Sequence, residues 1–446
     1  MSRQSRRPEQ DWLPALPPHW GYKKLKFLFR QTSGGTPAKE IAAYWIGDIP
    51  WVSPKDMKCS VISDTEDHIS AQAIRESATT LVPRDTLLLV VRSGILRHSI
   101  PVALAGCSVT INQDIKALIP RRADTKPQYY AALIHGLQDQ LLTLWRKQGA
   151  TVESLESDLI GDTVVPVPPP AEQRAIADFL DRETAKIDAL IAAQERLIAL
   201  LDEKRQATVT HAVTKGLDPD APMKESGDRF VGEIPEHWGL IALRHLLSHP
   251  LAYGANEAGD QSDRDDPRFV RITDISSDGS LRYETFRSLP MEIAKPFLLR
   301  DGDLLLARSG ATVGKSFIYD QSWGQCCFAG YLIRARCNSA LLASRLLHFF
   351  LASSAYWNWV NSNLIQATIQ NISADRYAGL KVPVPPRGEQ GAIIRHLDHV
   401  LPKIDHLRNR SETVIEHLRE RRTALITAAV IGQIDVTNPA ITEAAE

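Results

Sequence analysis

Apolar residues recur every three or four positions along two long stretches of this chain. The first seam runs through Ile176, Leu180, Ile187, Leu190, Leu197 and Leu201; the second runs through Ile393, Leu397, Ile404, Leu407, Val414 and Leu418. Polar residues such as Gln194 and Ser411 interrupt them. Such spacing predicts two coiled-coil helices of about 45 residues, each roughly 65–70 Å long. Pro402 falls inside the second and is expected to kink or split it. Elsewhere the pattern shortens. "DTLLLVV" (85–91) and "GDLLLAR" (302–308) read as buried strands, and 128–147 and 344–360 as amphipathic helices. Turn signals follow the strands at Ser93-Gly94 and Ser309-Gly310. The pattern therefore predicts mixed α/β bodies joined to long helices.

The two seams belong to a repeat. Displacing the chain by 217 positions aligns 166–218 with 383–435, and roughly two dozen of those 53 positions are identical. Both segments open on proline-rich phrases, "PVPPPAEQR" and "PVPPRGEQG", which suit entry to a helix. The preceding regions correspond more weakly. "LPPHWGYKKL" answers "IPEHWGLIAL", and "ATVESLESD" answers "ATIQNISAD". The expected organisation is body one over 1–165, helix over 166–215, linker over 216–234, body two over 235–382, helix over 383–435 and a tail over 436–446. Antiparallel pairing of the helices would place the bodies at opposite ends of a coiled coil, as related copies in a nearly circular, pseudo-two-fold chain. Two unrelated helices, each packed on its own body, are the alternative.

Composition narrows the class. The net charge is -1, and residues 21–165 and 240–382 each carry only two more basic than acidic residues. This weak excess neither advertises nor excludes nucleic-acid binding. No apolar run approaches a membrane span, and the basic start lacks the apolar core of a signal peptide. Five scattered cysteines without a C-x-x-C pair argue for reduced, buried thiols in a cytoplasmic protein and against a zinc knuckle. No metal site is expected. His396, His399 and His406 lack an acidic or thiol partner.

Some motifs carry candidate chemistry. "SGATVGKS" (309–316) imitates a phosphate loop, but three residues rather than four separate its glycines, so a structural turn or a phosphate or base-edge contact suits it better. Arg92, Ser93 and Gly94 recur as Arg308, Ser309 and Gly310, with Thr312 and Lys315 nearby. Their arginines could fork onto guanine or phosphate, or tie the loop to Asp85 or Asp301. Thr151, Thr368, Gln370 and Asn371 could reach adenine edges or cap a short helix. The rings of "WNWVN" (357–361) could stack on bases but suit a helix core better. No catalytic constellation and no Asn-Pro-Pro-Tyr motif is present.

"PVPPPAEQRAIADFLDRETAKIDALI", "VTKGLDPDAPMKESG", "GEIPEHWG" and "VPVPPRGEQ" together resemble the specificity subunit of type I restriction–modification systems. The resemblance implies two target recognition domains, each reading one half of an asymmetric, split DNA sequence, and helices that dock two methyltransferase subunits, with restriction subunits joining through them. It implies a non-catalytic chain whose S-adenosylmethionine, ATP and magnesium belong to the partners. It places the arginine-bearing loops near DNA, marks Asn112 and Gln113 of "INQDIKAL" as DNA-binding candidates, and makes Glu172, Gln173, Glu389 and Gln390 candidates for partner contact. "FAGYLIRAR" (328–336) offers Asn112 and Gln113 no counterpart. A coiled-coil scaffold joining two protein-binding domains, and a lone nuclease or nucleotide hydrolase, are the rival readings.

Overall fold

The computed structural model describes residues 12–13, 15–147, 149, 152–259, 261–276, 279–365 and 371–436. It divides into two compact units: Met1–Gln194 with Thr413–Glu446, and Glu195–Glu412. The long helices are Pro170–Thr214 and Arg387–Val430. Each contributes one part to each unit. The second helix continues through Pro402 without splitting, with the proline on its solvent side.

In the first unit the core sheet has the strand order Phe29–Ser33, Ile115–Pro120, Leu87–Val90, Val102–Ala105, Val61–Ile62. Leu87–Val90 is buried at every position, as its unbroken apolar run requires. A smaller sheet contains Ile49–Val52 and Val109–Ile111 as parallel neighbours. In the second unit the order is Ala252–Tyr253, Leu332–Ala335, Leu304–Ala307, Ser316–Ile318, with Arg268–Val270 parallel to Cys326–Phe328 beside it. The central pairings correspond at a displacement of 217. Leu87 faces Leu118, and Leu304 faces Ala335.

The helix parts pair antiparallel inside each unit. Ile176, Phe179 and Leu180 share the first unit's core with Ile426, Ala429 and Val430. Val209, Ala212 and Val213 share the second unit's core with Ile393, Leu397 and Leu401. Two ion pairs are reciprocal under the repeat. Arg422 Nε meets Asp188 at 2.9 Å in the first unit, and Arg205 Nε meets Asp405 at 2.9 Å in the second. As half-exposed pairs each contributes only about 0.2–1 kcal/mol, so their value lies in fixing register. The seam differs from the expected one. Leu190, Leu197 and Leu407 are 53%, 42% and 50% exposed. The inward positions belong to their neighbours Ile191, Ile198 and Arg408.

Each expected body helix is broken in two. Pro127–Gly136 and Gln138–Trp145 replace 128–147; Ser344–Phe350 and Ser354–Ile365 replace 344–360. Both breaks are where a threonine of a long helix docks. Thr427 Oγ1 donates to the Gly136 carbonyl at 2.7 Å, and Thr210 Oγ1 accepts from Ser354 N at 2.9 Å. A side chain at Gly136 would lie 3.1 Å from Ile426 Cγ2, so the glycine admits the close approach. Among the cysteines, Cys326 and Cys327 are buried thiols pushed up to about 12 by desolvation, whereas Cys59 is exposed, contrary to expectation.

Candidate nucleic-acid interface

The repeated proline phrases build the same joint twice. Strand Gly21–Lys24 pairs with Val164–Val167, and Gly239–Ala242 with Lys381–Val384. The prolines end the second strand of each pair and the long helix begins. Glu172 Oε2 then receives Trp20 Nε1 and meets His19 Nε2, both at 3.0 Å. Glu389 Oε2 treats Trp238 and His237 alike, at 3.0 and 2.9 Å. The neighbouring amides work inward. Gln173 accepts from Lys126 N at 3.0 Å and donates to the Pro168 carbonyl at 2.8 Å. Gln390 accepts from Ala343 N and donates to the Pro385 and Leu341 carbonyls, all at 2.9 Å. Gln173 and Gln390 are 2% and 1% exposed. These four residues close the joint between body and helix, and the two amides are buried with their bonds directed to the backbone of the joint.

Beyond each central strand lies a second repeated arrangement. In the first unit Arg92 bridges to Ser154, and Leu155 N donates to the Val91 carbonyl at 2.8 Å. In the second unit Ser309 bridges to Asn371, and Ile372 N donates to the Arg308 carbonyl at 2.8 Å. From the other side Val91 N donates to the Asp114 carbonyl, and Arg308 N to the Tyr331 carbonyl. Thus one backbone frame recurs, holding the strand end between the segment before the helix and the loop after a buried strand.

This frame corrects the expected equivalence of the arginines. The ladder position of Arg308 is occupied in the first unit by Val91, which is 8% exposed. Arg92 instead matches Ser309, and Ser93 matches Gly310. A slip of one residue turns a strand side chain to the other face. Arg92 stands exposed, while Arg308 is half-buried. Gly310 has φ +75° and needs glycine; Gly94 has no positive φ. Ser93 caps the turn after the first strand by accepting from Ile95 N at 3.4 Å. Neither arginine is held by Asp85 or Asp301; the latter accepts from Gln321 N.

The same frame presents different side chains. In the first unit Gln113 is exposed and accepts from Thr36 Oγ1 at 2.7 Å, while Lys116 Nζ donates to Ser33 Oγ at 2.8 Å. Desolvation lowers the Lys116 pKa. Asn112 faces inward, 4% exposed, and its amide closes a turn onto Asp114, accepting from Asp114 N at 3.0 Å. In the second unit the place of Ser33 is taken by Tyr253, and that of Asp114 by Tyr331. The Arg308 guanidinium lies 4.6 Å over the Tyr253 ring. Thr312 and Lys315 sit farther along in a cleft of about 500 Å³ with Arg282 and Trp357. Thr151, Thr368 and Gln370 lie outside the described residues; Asn371 is in the bridge.

The imitation phosphate loop is a strand connection. Gly310–Thr312 forms a short turn, strand Ser316–Ile318 follows, and the Gly314 carbonyl is taken by Tyr356 at 2.6 Å. A phosphate loop would open a helix there. Trp359 stacks on Tyr356 at 6.0 Å, a core role. Sequence reading overlooked Ser33, Thr36, Lys116, Tyr253 and Tyr331. One signal was available: Gly34 and Gly254 follow Ser33 and Tyr253, and a side chain at either would strike the backbone of a neighbouring buried strand.

Comparison with known proteins agrees with this repeated design. The family model "Type I restriction modification DNA specificity domain" matches residues 17–198 and 268–417. The specificity subunit of the type I restriction enzyme EcoR124I/EcoR124II from Escherichia coli is 34% identical over 180 residues, 40% of this chain and 44% of that one. The EcoBI specificity subunit from Escherichia coli is 26% identical over 293 residues, 64% of this chain and 61% of its own. These matches therefore span less than two thirds of either relative. Two solved structures share the fold. A chain from a study of complex assembly and conformational transition in a type I R-M system superposes with TM-score 0.73 at 15% identity, over 94% of this chain and 100% of that one. The HsdS subunit from Thermoanaerobacter tengcongensis gives 0.53 at 17% identity, over 94% and 98%. With both units matched by the family model, the chain belongs to the type I restriction–modification DNA specificity domain family.

Proposed function

We propose that this chain is the DNA-specificity subunit of a type I restriction–modification complex. Each unit reads one half of a bipartite, asymmetric target. The observation that carries this reading is the twice-built frame around Val91 and Arg308: constant in backbone, different in side chains. A rigid scaffold presenting variable surface groups is the usual arrangement of a recognition site. Two readers on one chain select two half-sites at a fixed separation, and unlike side chains select unlike halves.

The chain acts without chemistry of its own. Two methyltransferase subunits dock on the helices and joints, which recur in sequence and geometry, and restriction subunits join through them. S-adenosylmethionine, ATP and magnesium are held by those partners. Mapping methylated adenines in cells with and without this chain tests the proposal. A split, asymmetric motif that vanishes with the chain is expected; a contiguous or palindromic motif, or one that survives its loss, would overturn it.

A further inference from the structure

Arg308 is the one position where the two frames differ most in chemistry. Its backbone is fixed on both sides, by Tyr331 and by Ile372. Its guanidinium is stacked on Tyr253, whose hydroxyl in turn accepts from Ala374 N at 3.0 Å. Its Nε meets Asn371 Oδ1 at 3.4 Å, the long end of a hydrogen bond. Among the described residues its terminal nitrogens have no partner and no carboxylate pairs with it. The buried Asp303, at the other end of the same strand, is committed to Arg336, with both bonds at 2.6 Å. Tyr331 beside it is 68% exposed, so the group opens to solvent. An arginine stacked on a ring and tethered through Nε keeps its two outer donors parallel and aimed together, at little further entropic cost.

We propose that Arg308, positioned by Tyr253 and Asn371, reads the O6 and N7 acceptors of a guanine in the half-site of the second unit. This rests on the DNA-reading function proposed above. That acceptor pair matches the guanidinium fork and is presented in the major groove by guanine. Phosphate also accepts two such bonds, but a phosphate contact carries no sequence information. The first unit has the buried Val91 at this position, so the effect belongs to one half of the target only.

The test uses the complete methyltransferase complex containing the full-length chain. Methylation rates are measured on duplexes altered at one base pair at a time. Arg308→Met keeps the length of the side chain and removes both the fork and its charge. The expected result is a roughly tenfold to hundredfold loss of preference for guanine at one position of one half-site, with the other half unchanged. Tyr253→Leu should relax the same position more weakly, whereas Tyr253→Phe, which keeps the ring, should leave the profile close to that of the parent chain. A uniform loss across all duplexes, with the salt dependence shallower by about one ion, would identify a phosphate contact and overturn the proposal. An unchanged profile in Arg308→Met would overturn it as well. A parent complex with no sequence preference would instead remove the function on which it rests.

Discussion

Gln390 tests whether the repeated Glu-Gln pair serves the chain or its partners. Gln390→Ala leaves Ala343 N, Pro385 O and Leu341 O without their partner in a site that is 1% exposed. Each buried group left unsatisfied costs about 1–3 kcal/mol, and water entering the gap recovers part of it, so a net loss of about 2–4 kcal/mol is expected. That is a large share of the usual 5–15 kcal/mol of a folded domain. For a unit of this size each kcal/mol lowers Tm by roughly 2–4 °C, so calorimetry of the isolated chain should show a fall of about 5–15 °C. Gln173→Ala should behave similarly in the first unit. If these glutamines were instead contacts for another subunit, the isolated chain would melt unchanged and only complex formation would weaken. An unaltered Tm would therefore refute the assignment of these amides to the interior of the joint.

The Asp303–Arg336 pair, 1% and 13% exposed, should be costly to break. Arg336→Ala should cost about 3–5 kcal/mol in urea unfolding, whereas Asp303→Thr with Arg336→Ile, the residues that the first unit carries as Thr86 and Ile119, should recover much of it. His348 is held at a pKa of about 4 by desolvation, with Arg345 and Arg205 adding repulsion. Its folded pKa lies below the unfolded one, so the unfolded chain takes up the proton first. Stability should therefore fall as pH drops from about 6.5 to about 4, by at most about 1.4 kcal/mol per pH unit, and His348→Phe should remove that component from the pH profile. Each body has only a slight basic excess, so the isolated chain should bind DNA weakly and the methyltransferase complex tightly; nanomolar, salt-insensitive binding by the isolated chain in a mobility-shift titration would contradict this.

Much of this architecture is legible in the sequence because the repeat supplies its own alignment. Asp188 and Arg205 recur as Asp405 and Arg422, and the structure pairs them crosswise. Adjacent apolar residues obscured the seam. Leu190-Ile191 and Leu197-Ile198 permit two registers one residue apart, and only the partner helix selects between them. The repeated frame around Val91 and Arg308 was harder to read. The identical Arg-Ser-Gly triplets invited alignment of Arg92 with Arg308, but the strand pairing within each unit makes Val91 the equivalent of Arg308. Tyr253 and Tyr331 lie far from Arg308 in sequence and meet it only through sheet pairing and a loop carbonyl, which no local motif records.

Exchange of one body tests the central claim most directly. Residues 21–165 are replaced by the corresponding segment of a related specificity subunit, and methylated adenines are mapped genome-wide in cells carrying the hybrid. The account predicts a new sequence in one half of the target, with the other half retained. A target unchanged in both halves, or altered in both, would contradict it.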